Sequence, residues 1–385
     1  MTTADGAALS LALTRAMLSR FPLIDGHNDL PWELREKFGS DPVAAALTGR
    51  VRETHTDIPR LVEGGVGGQF WSVFVPGRLT GQAAAVAVLE QIDLVHRMIA
   101  AYPNRFQLAL TADDVDAAFA AGRIASLLGA EGGRCIDSSL GVLRALYALG
   151  VRYLTLTHNE NVGWADSATD EPDCGGLSGF GRQVVAEMQR LGMLVDLSHV
   201  APSTMRAALD VARAPVIFSH SSARAVCDNP RNVPDDVLAR LAANGGVCMV
   251  TFVPFFVSQE ATDWFDGLRT FAESRGKDKK DLGEVFSLLP EWESSHPRPE
   301  ATIRQVADHI DHVREVAGRA HVGIGGDFDG TPSLPVGLHD VSRYPALFAE
   351  LQRRRWSEAD LKCLAGANVL RALRGAQEFA AGQIG

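Results

Sequence analysis

Leu23-Ile24-Asp25-Gly26-His27-Asn28-Asp29 is an apolar run that ends at once in a His-x-Asp pair. In an extended chain, residues two apart point to the same side, so His27 and Asp29 can bring a ring nitrogen and a carboxylate oxygen to one point. That is a ligand pair for zinc or a similar ion. A single His-x-Asp is weak, but the pattern recurs along the chain. Glu131 follows Leu128-Gly129-Ala130, His158 follows Tyr153 to Thr157, His199 follows Val195 to Ser198, and His220 follows Val216 to Ser219. Asp327 follows Gly323-Ile324-Gly325-Gly326, with Asp329 two residues on.

The runs preceding these residues read as strands. Eight are expected: Pro22 to Gly26, Gly68 to Val75, Ala125 to Ala130, Val151 to Leu156, Met193 to Leu197, Pro215 to Ser219, Gly246 to Thr251 and His321 to Gly325. Segments of helical period lie between them, among them Ala83 to Ala101, Gly179 to Leu191, Pro202 to Ala212, Pro234 to Asn244 and Ile303 to Ala317. Alternating strands and helices predict a parallel sheet with helices outside, and eight units predict a single-domain α/β protein, a (β/α)8 TIM-type barrel. In such a barrel every strand end lies on one rim. Residues 300 apart then converge on one mouth.

The residue types exceed what one four-coordinate ion needs and suit two. Glu131, between small residues, is the natural bridge, since a carboxylate can give one oxygen to each of two ions. Taken singly, each His could be a hydrogen-bonded rim residue, and Asp327 or Asp329 could shape a Gly-rich turn. His309 and His312 are expected on a solvated helix face, and His55, His96, His296, His321 and His339 on loops or helix surfaces. Ser198, Ser219, Ser221 and Ser222 are expected to support the site rather than attack. Arg231 could fork a carboxylate, or could pair with Asp235 or Asp236.

One segment breaks the rhythm, about 260–301, between strand candidates seven and eight. It reads as a solvated insertion or, alternatively, as a lid or subunit contact over the active face. The 385 residues carry a net charge of -10 and are 46% hydrophobic. No basic concentration points to nucleic acid. The five cysteines, Cys135, Cys174, Cys227, Cys248 and Cys363, are odd in number and widely spaced, which predicts free thiols in a reducing, cytoplasmic compartment. Ala7 to Arg15 reads as a short helix rather than a secretion signal, no run is long enough to span a membrane, and Gly382-Gln383-Ile384-Gly385 carries no anchor-like tail.

The chain resembles the membrane (renal) dipeptidases, zinc enzymes on amidohydrolase-like barrels. The resemblance runs from Ile24-Asp25-Gly26-His27-Asn28-Asp29 to Leu364-Ala365-Gly366-Ala367-Asn368. It is most specific at Ala214 to Ala223, Arg231-Asn232-Val233-Pro234-Asp235-Asp236 and Gly325 to Gly330. It implies two Zn2+ per chain, with His27 and Asp29 on one ion, His199 and His220 on the other, and Glu131 bridging. It further implies that His158 steadies the scissile carbonyl, that Arg231 meets the substrate and that Asp327 moves protons. The implied substrate is a dipeptide, with a D-residue tolerated on the C-terminal side, and the implied assembly is a homodimer. Two departures stand out. Cys227 matches a family cysteine whose expected partner position, near Gln259, holds no Cys, and Phe256 stands where the family often has a Tyr. An N-acyl-amino-acid or lactam amidohydrolase, or an inactive metal-containing binding protein, are the competing readings.

Overall fold

The computed structural model describes the backbone of residues 3–383 and the side chains of residues 11–383. The final pair of the C-terminal stretch read above, Ile384 and Gly385, lies outside the described residues. Nine strands are present: β1 (Leu23–Asn28), β2 (Val66–Phe74), β3 (Phe106–Leu108), β4 (Ile124–Glu131), β5 (Val151–Thr155), β6 (Leu194–Asp196), β7 (Val216–Phe218), β8 (Val247–Val250) and β9 (Val322–Ile324). Their hydrogen-bonded order is β2-β1-β9-β8-β7-β6-β5-β4-β3, all parallel. β2 also pairs with β4, from Gly68 with Ala125 to Phe74 with Glu131. That pairing closes eight strands into a barrel, the architecture expected from the sequence. β3 was not expected. It is three residues long and attaches to the start of β4 outside the ring.

Each strand alternates between two cores, as the pleat requires. Ile24, Phe70, Leu127, Tyr153, Leu194, Ile217, Val247 and Met249 belong to one buried cluster and fill the barrel. Leu23, Trp71, Leu128, Leu154, Val195, Phe218, Val250 and Ile324 belong to another, between the strands and the outer helices. Helix Ile303–Ala317 illustrates why those helices form. Thr302 and Gln305 make a reciprocal capping box at its start, and Val306, Ile310, Val313 and Ala317 bury one stripe. Helix Asn368–Gly382 lends Leu370, Leu373 and Ala376 to the cluster that fills the barrel. Its residues approach Gly192 and Gly245, just ahead of β6 and β8, so it covers the end opposite the ligand-type residues.

Two expectations need correction. His309 is fully buried, not solvated: its Nδ1 accepts from Ala223 N at 3.1 Å and its Nε2 donates to Val257 O at 3.0 Å. It shares the buried stripe of its helix with Val306, Ile310 and Val313, whereas His312 faces outward to Asp235. The segment after β8 is more than a solvated insertion and lies as the alternative reading, a cover over the active face, has it. It folds as helices Pro254–Val257, Gln259–Ser274, Leu282–Phe286 and Leu289–Glu293 around a small apolar cluster of its own, and part of it covers the barrel mouth. Among the described residues no helix is long and apolar enough to cross a membrane, and all five cysteines are free. Gln259 does lie beside Cys227, its Oε1 accepting from Asp228 N at 2.9 Å.

Candidate metal centre and substrate cavity

The carboxyl ends of six barrel strands bring the expected residues together. His27 is in β1 and Asp29 follows it; Glu131 ends β4; His158, His199, His220 and Asp327 follow β5, β6, β7 and β9. Glu131 stands at the centre. Its Oε2 is 3.3 Å from His27 Nε2, and its Oε1 is 3.0 Å from His199 Nε2 and 3.4 Å from His220 Nε2. His27 Nε2 is also 3.3 Å from Asp29 Oδ2. Three sets offer ligand atoms within 4.8 Å of one another: His27, Glu131 and His220; Glu131, His158 and His199; and His27, Asp29 and Asp327.

The supporting hydrogen bonds decide what these rings present. Tyr153 donates its hydroxyl proton to Gly26 O at 3.1 Å, so it accepts from His27 Nδ1 at 2.9 Å. His27 Nε2 is left with a buried lone pair that no protein group satisfies. His220 Nδ1 donates to Ser219 Oγ at 2.8 Å, and that hydroxyl donates to Asp196 Oδ2 at 2.6 Å. His220 Nε2 therefore also aims a lone pair at the centre, 3.0 Å from His199 Nε2. Imidazole nitrogens fixed in this way, gathered around a shared carboxylate, fit a zinc-like cation. Burial would raise the Glu131 carboxyl, but the His27, His199 and His220 rings held against it keep it well below the usual range. Burial holds His199 and His220 well below the usual histidine range. Asp327 is pushed well above the carboxylate range by burial, with Asp29 and Glu131 adding to the rise.

Backbone conformation is bent to reach this arrangement. His199, Asp327 and Asp329 adopt left-handed φ values of 68°, 58° and 69°, which non-glycine residues seldom do. A Cβ on Gly129 would lie 1.9 Å from the Tyr153 ring, so only glycine lets that phenol pass to His27. Asp329 Oδ1 is taken by His55 N at 2.5 Å, and Asp329 N donates to His55 Nδ1 at 3.0 Å. Asp327, by contrast, makes no side-chain hydrogen bond among the described residues and lines the cavity.

That cavity has a volume of about 570 Å3, within the range of small-molecule sites. Arg231, 2% exposed, lines it. Its guanidinium donates to Ser221 Oγ at 3.4 Å and His220 O at 3.5 Å, its Nε finds no partner, and it lies 5.0 Å over the Phe256 ring. It does not pair with either aspartate considered from sequence: Asp236 binds Arg206 at 2.7 Å and Asp235 binds His312 at 2.8 Å. Burial lowers its pKa to about 10, so it stays charged at neutral pH. His158 stands 4.4 Å from the His199 ring and 4.9 Å from Phe74, and burial lowers its pKa. The sequence reading did not single out Tyr153 or Asp196, which orient the histidines. Ser219 and Ser198 do support the site as expected, Ser198 Oγ accepting from His220 N at 3.0 Å.

Known proteins resemble this chain in sequence and in fold. Residues 11–383 match the model of the membrane dipeptidase family, peptidase family M19. The chain is 42% identical over 365 residues to dipeptidase 3 of Rattus norvegicus, covering 93% of this chain and 66% of that protein, so it spans just under two thirds of that relative's length. It is 42% identical over 380 residues to dipeptidase verJ of Clonostachys rogersoniana, covering 96% and 88% respectively. The fold matches the probable dipeptidase PvdM from Pseudomonas aeruginosa with a TM-score of 0.82 at 23% identity, over 97% and 100% of the two chains. It also matches a metallo peptidase from Rhodobacter sphaeroides liganded with a phosphinate mimic of the dipeptide L-Ala-D-Ala, with a TM-score of 0.75 at 25% identity over 92% and 99%. The chain belongs to the membrane dipeptidase family.

Proposed function

We propose that the protein hydrolyses dipeptides with two Zn2+ ions held by His27 and Asp29 on one side, His199 and His220 on the other, and Glu131 between them. The observation that carries this reading is the Glu131 carboxylate, one oxygen turned to His27 and the other to His199 and His220. Bound there, two such ions supply an acidified water and a Lewis acid for the scissile carbonyl. The remaining work falls to side chains. Asp327 takes the proton of the attacking water on a free carboxylate oxygen and returns it to the leaving amine, which is too basic to depart unaided. His158, neutral beside the centre, donates to the oxygen on which charge develops. Arg231, buried without a carboxylate partner, receives the free carboxylate of the substrate bidentately.

Tolerance of a D-residue on the C-terminal side is part of the proposal, supported by the L-Ala-D-Ala mimic bound to the Rhodobacter sphaeroides relative. A cytoplasmic location is supported by the five free thiols; a homodimer rests on the family resemblance alone and is checked by light scattering. The test of function is metal analysis combined with a substrate screen. About two Zn2+ per chain and chelator-sensitive cleavage of dipeptides, L-Ala-D-Ala included, are expected. Glu131→Gln should lower both the metal content and the activity. A preference for N-acyl amino acids or lactams over dipeptides would move the protein to the neighbouring amidohydrolase reading.

A further inference from the structure

Of the three arginines that line the cavity, two stand at opposite ends of a run of phenylalanine rings. Arg231 lies over Phe256, and Phe256 meets Phe255 edge-on with centroids 4.9 Å apart. Phe255 stacks on Phe265 at 4.1 Å with planes 12° apart, and the Arg269 guanidinium lies 5.9 Å from the Phe265 centroid. All five residues line the same cavity. Arg231 belongs to the loop after β7, whereas Phe265 and Arg269 belong to the insertion helix Gln259–Ser274.

Arg269 differs from the other cations of the insertion. Arg275 pairs with Glu291, Lys277 with Glu284, Lys279 with Glu273, Lys280 with Asp170 and Arg298 with Glu293. Arg269 has no carboxylate within ion-pair distance among the described residues. Its Nε donates to Lys279 O at 3.0 Å, and its outer nitrogens make no hydrogen bond there. The Lys279-Lys280 segment leans in turn on the loop after β5, where Asn159 Nδ2 donates to Lys280 O at 3.5 Å, next to His158. The stem is thus fixed, and the fork is half-buried against an aromatic wall. Such a fork suits a carboxylate. Of the other cavity cations, Lys280 and Lys37 are engaged by Asp170 and Glu33, whereas Arg78 is exposed and forms no ion pair among the described residues but makes no contact with the run of rings.

We propose that Arg269 is a second anion-binding residue of the cavity and selects dipeptides that carry a carboxylate side chain. The proposal rests on the dipeptide reading above, with the terminal carboxylate at Arg231 and the side-chain carboxylate at Arg269. The test compares Ala-Glu and Glu-Ala with their neutral partners Ala-Gln and Gln-Ala, by kcat/KM and by competitive binding, in the metal-loaded protein. The wild type should favour at least one acidic member about tenfold over its amide, the worth of a hydrogen bond to a charged group. Arg269→Gln should collapse that ratio towards one, and Arg269→Lys should keep part of it. A protein that cleaves acidic and amide partners alike overturns the Arg269 site and leaves the dipeptidase reading standing. A protein that binds the acidic member more tightly, with that preference lost in Arg269→Gln, but cleaves no dipeptide keeps the site and overturns the reaction. A protein that neither binds nor cleaves any of them overturns both.

Discussion

The barrel rim and the insertion above it face one cavity but are held in opposite ways. On the rim, two of the gathered histidines are wired to supporting groups behind them. Tyr153 fixes His27, and Asp196 acts through Ser219 on His220. Asp25 accepts from the backbone of His27 and of Gly326 and from the Tyr344 hydroxyl, tying the end of β1 to the loop after β9. The insertion has its own apolar cluster and meets the rim through a few polar contacts. Chemistry demands placement to a fraction of an ångström, which a barrel of parallel strands provides. Selection tolerates an attachment with a small apolar cluster of its own.

The contrast can be broken first at Asp327. On the proposed roles, Asp327→Asn lowers kcat by a factor on the order of 10² to 10⁴ and leaves the zinc content unchanged. Loss of an ion, measured by metal analysis, would make Asp327 a ligand and extend the rim's wiring to it.

The joint between the two regions is His309, which holds Ala223 N of the rim and Val257 O at the foot of the insertion. Burial lowers its pKa to about 4 from 6.5. The unfolded chain therefore binds the proton first, and the neutral ring's contribution is present above pH 6.5 and lost as pH falls towards 4. Over that window the loss is on the order of 3 kcal/mol. Denaturant titrations at pH 7.5 and pH 5 should show about 2 kcal/mol of it in the wild type and not in His309→Ala, which is less stable already at pH 7.5. An unchanged acid response in the variant would detach His309 from the joint.

Ser219→Ala removes the link between Asp196 and His220. Zinc affinity should fall about 10- to 100-fold, the usual effect of losing an outer partner of a ligand, with little change in melting temperature. Equal affinity would mean that His220 needs no orienting group. The smallest effect is expected at Lys280→Ala. A partly exposed ion pair contributes at most about 1 kcal/mol, so KM should shift modestly while kcat and zinc content stay put. A large drop in kcat would show that the insertion helps to place the reacting groups after all.

The ligand-type residues were legible because each stands where a buried apolar run stops, a one-dimensional signal of a shared rim. Helix Ile303–Ala317 was legible for a similar reason, its start marked by Thr302 and Gln305 and its stripe by period. What was hidden depends on contacts across strands. Nothing in Tyr153 or Asp196 alone announces a partner 126 residues away or a serine relay. β3 was missed because three residues with one fully buried side chain carry no period. His309 was legible in principle, since its spacing from Val306 and Val313 puts it on the apolar face, but a histidine on a polar-looking helix was read as solvated. The insertion's direction was legible only as one of two readings, a cover over the active face: its amphipathic helices bury an apolar face in their own small cluster, and their sequence does not say what lies below.

Gly129 draws a last consequence from the phenol that crosses above it. Any side chain there would collide with the Tyr153 ring and push it away from His27. Such a lesion is one of packing, yet it weakens the grip on a cation, and mass action refills a weakened site when the ion is abundant. Cells carrying Gly129→Ala should therefore behave as conditional mutants, deficient in zinc-poor medium and restored by supplementation, although the substituted residue touches no metal.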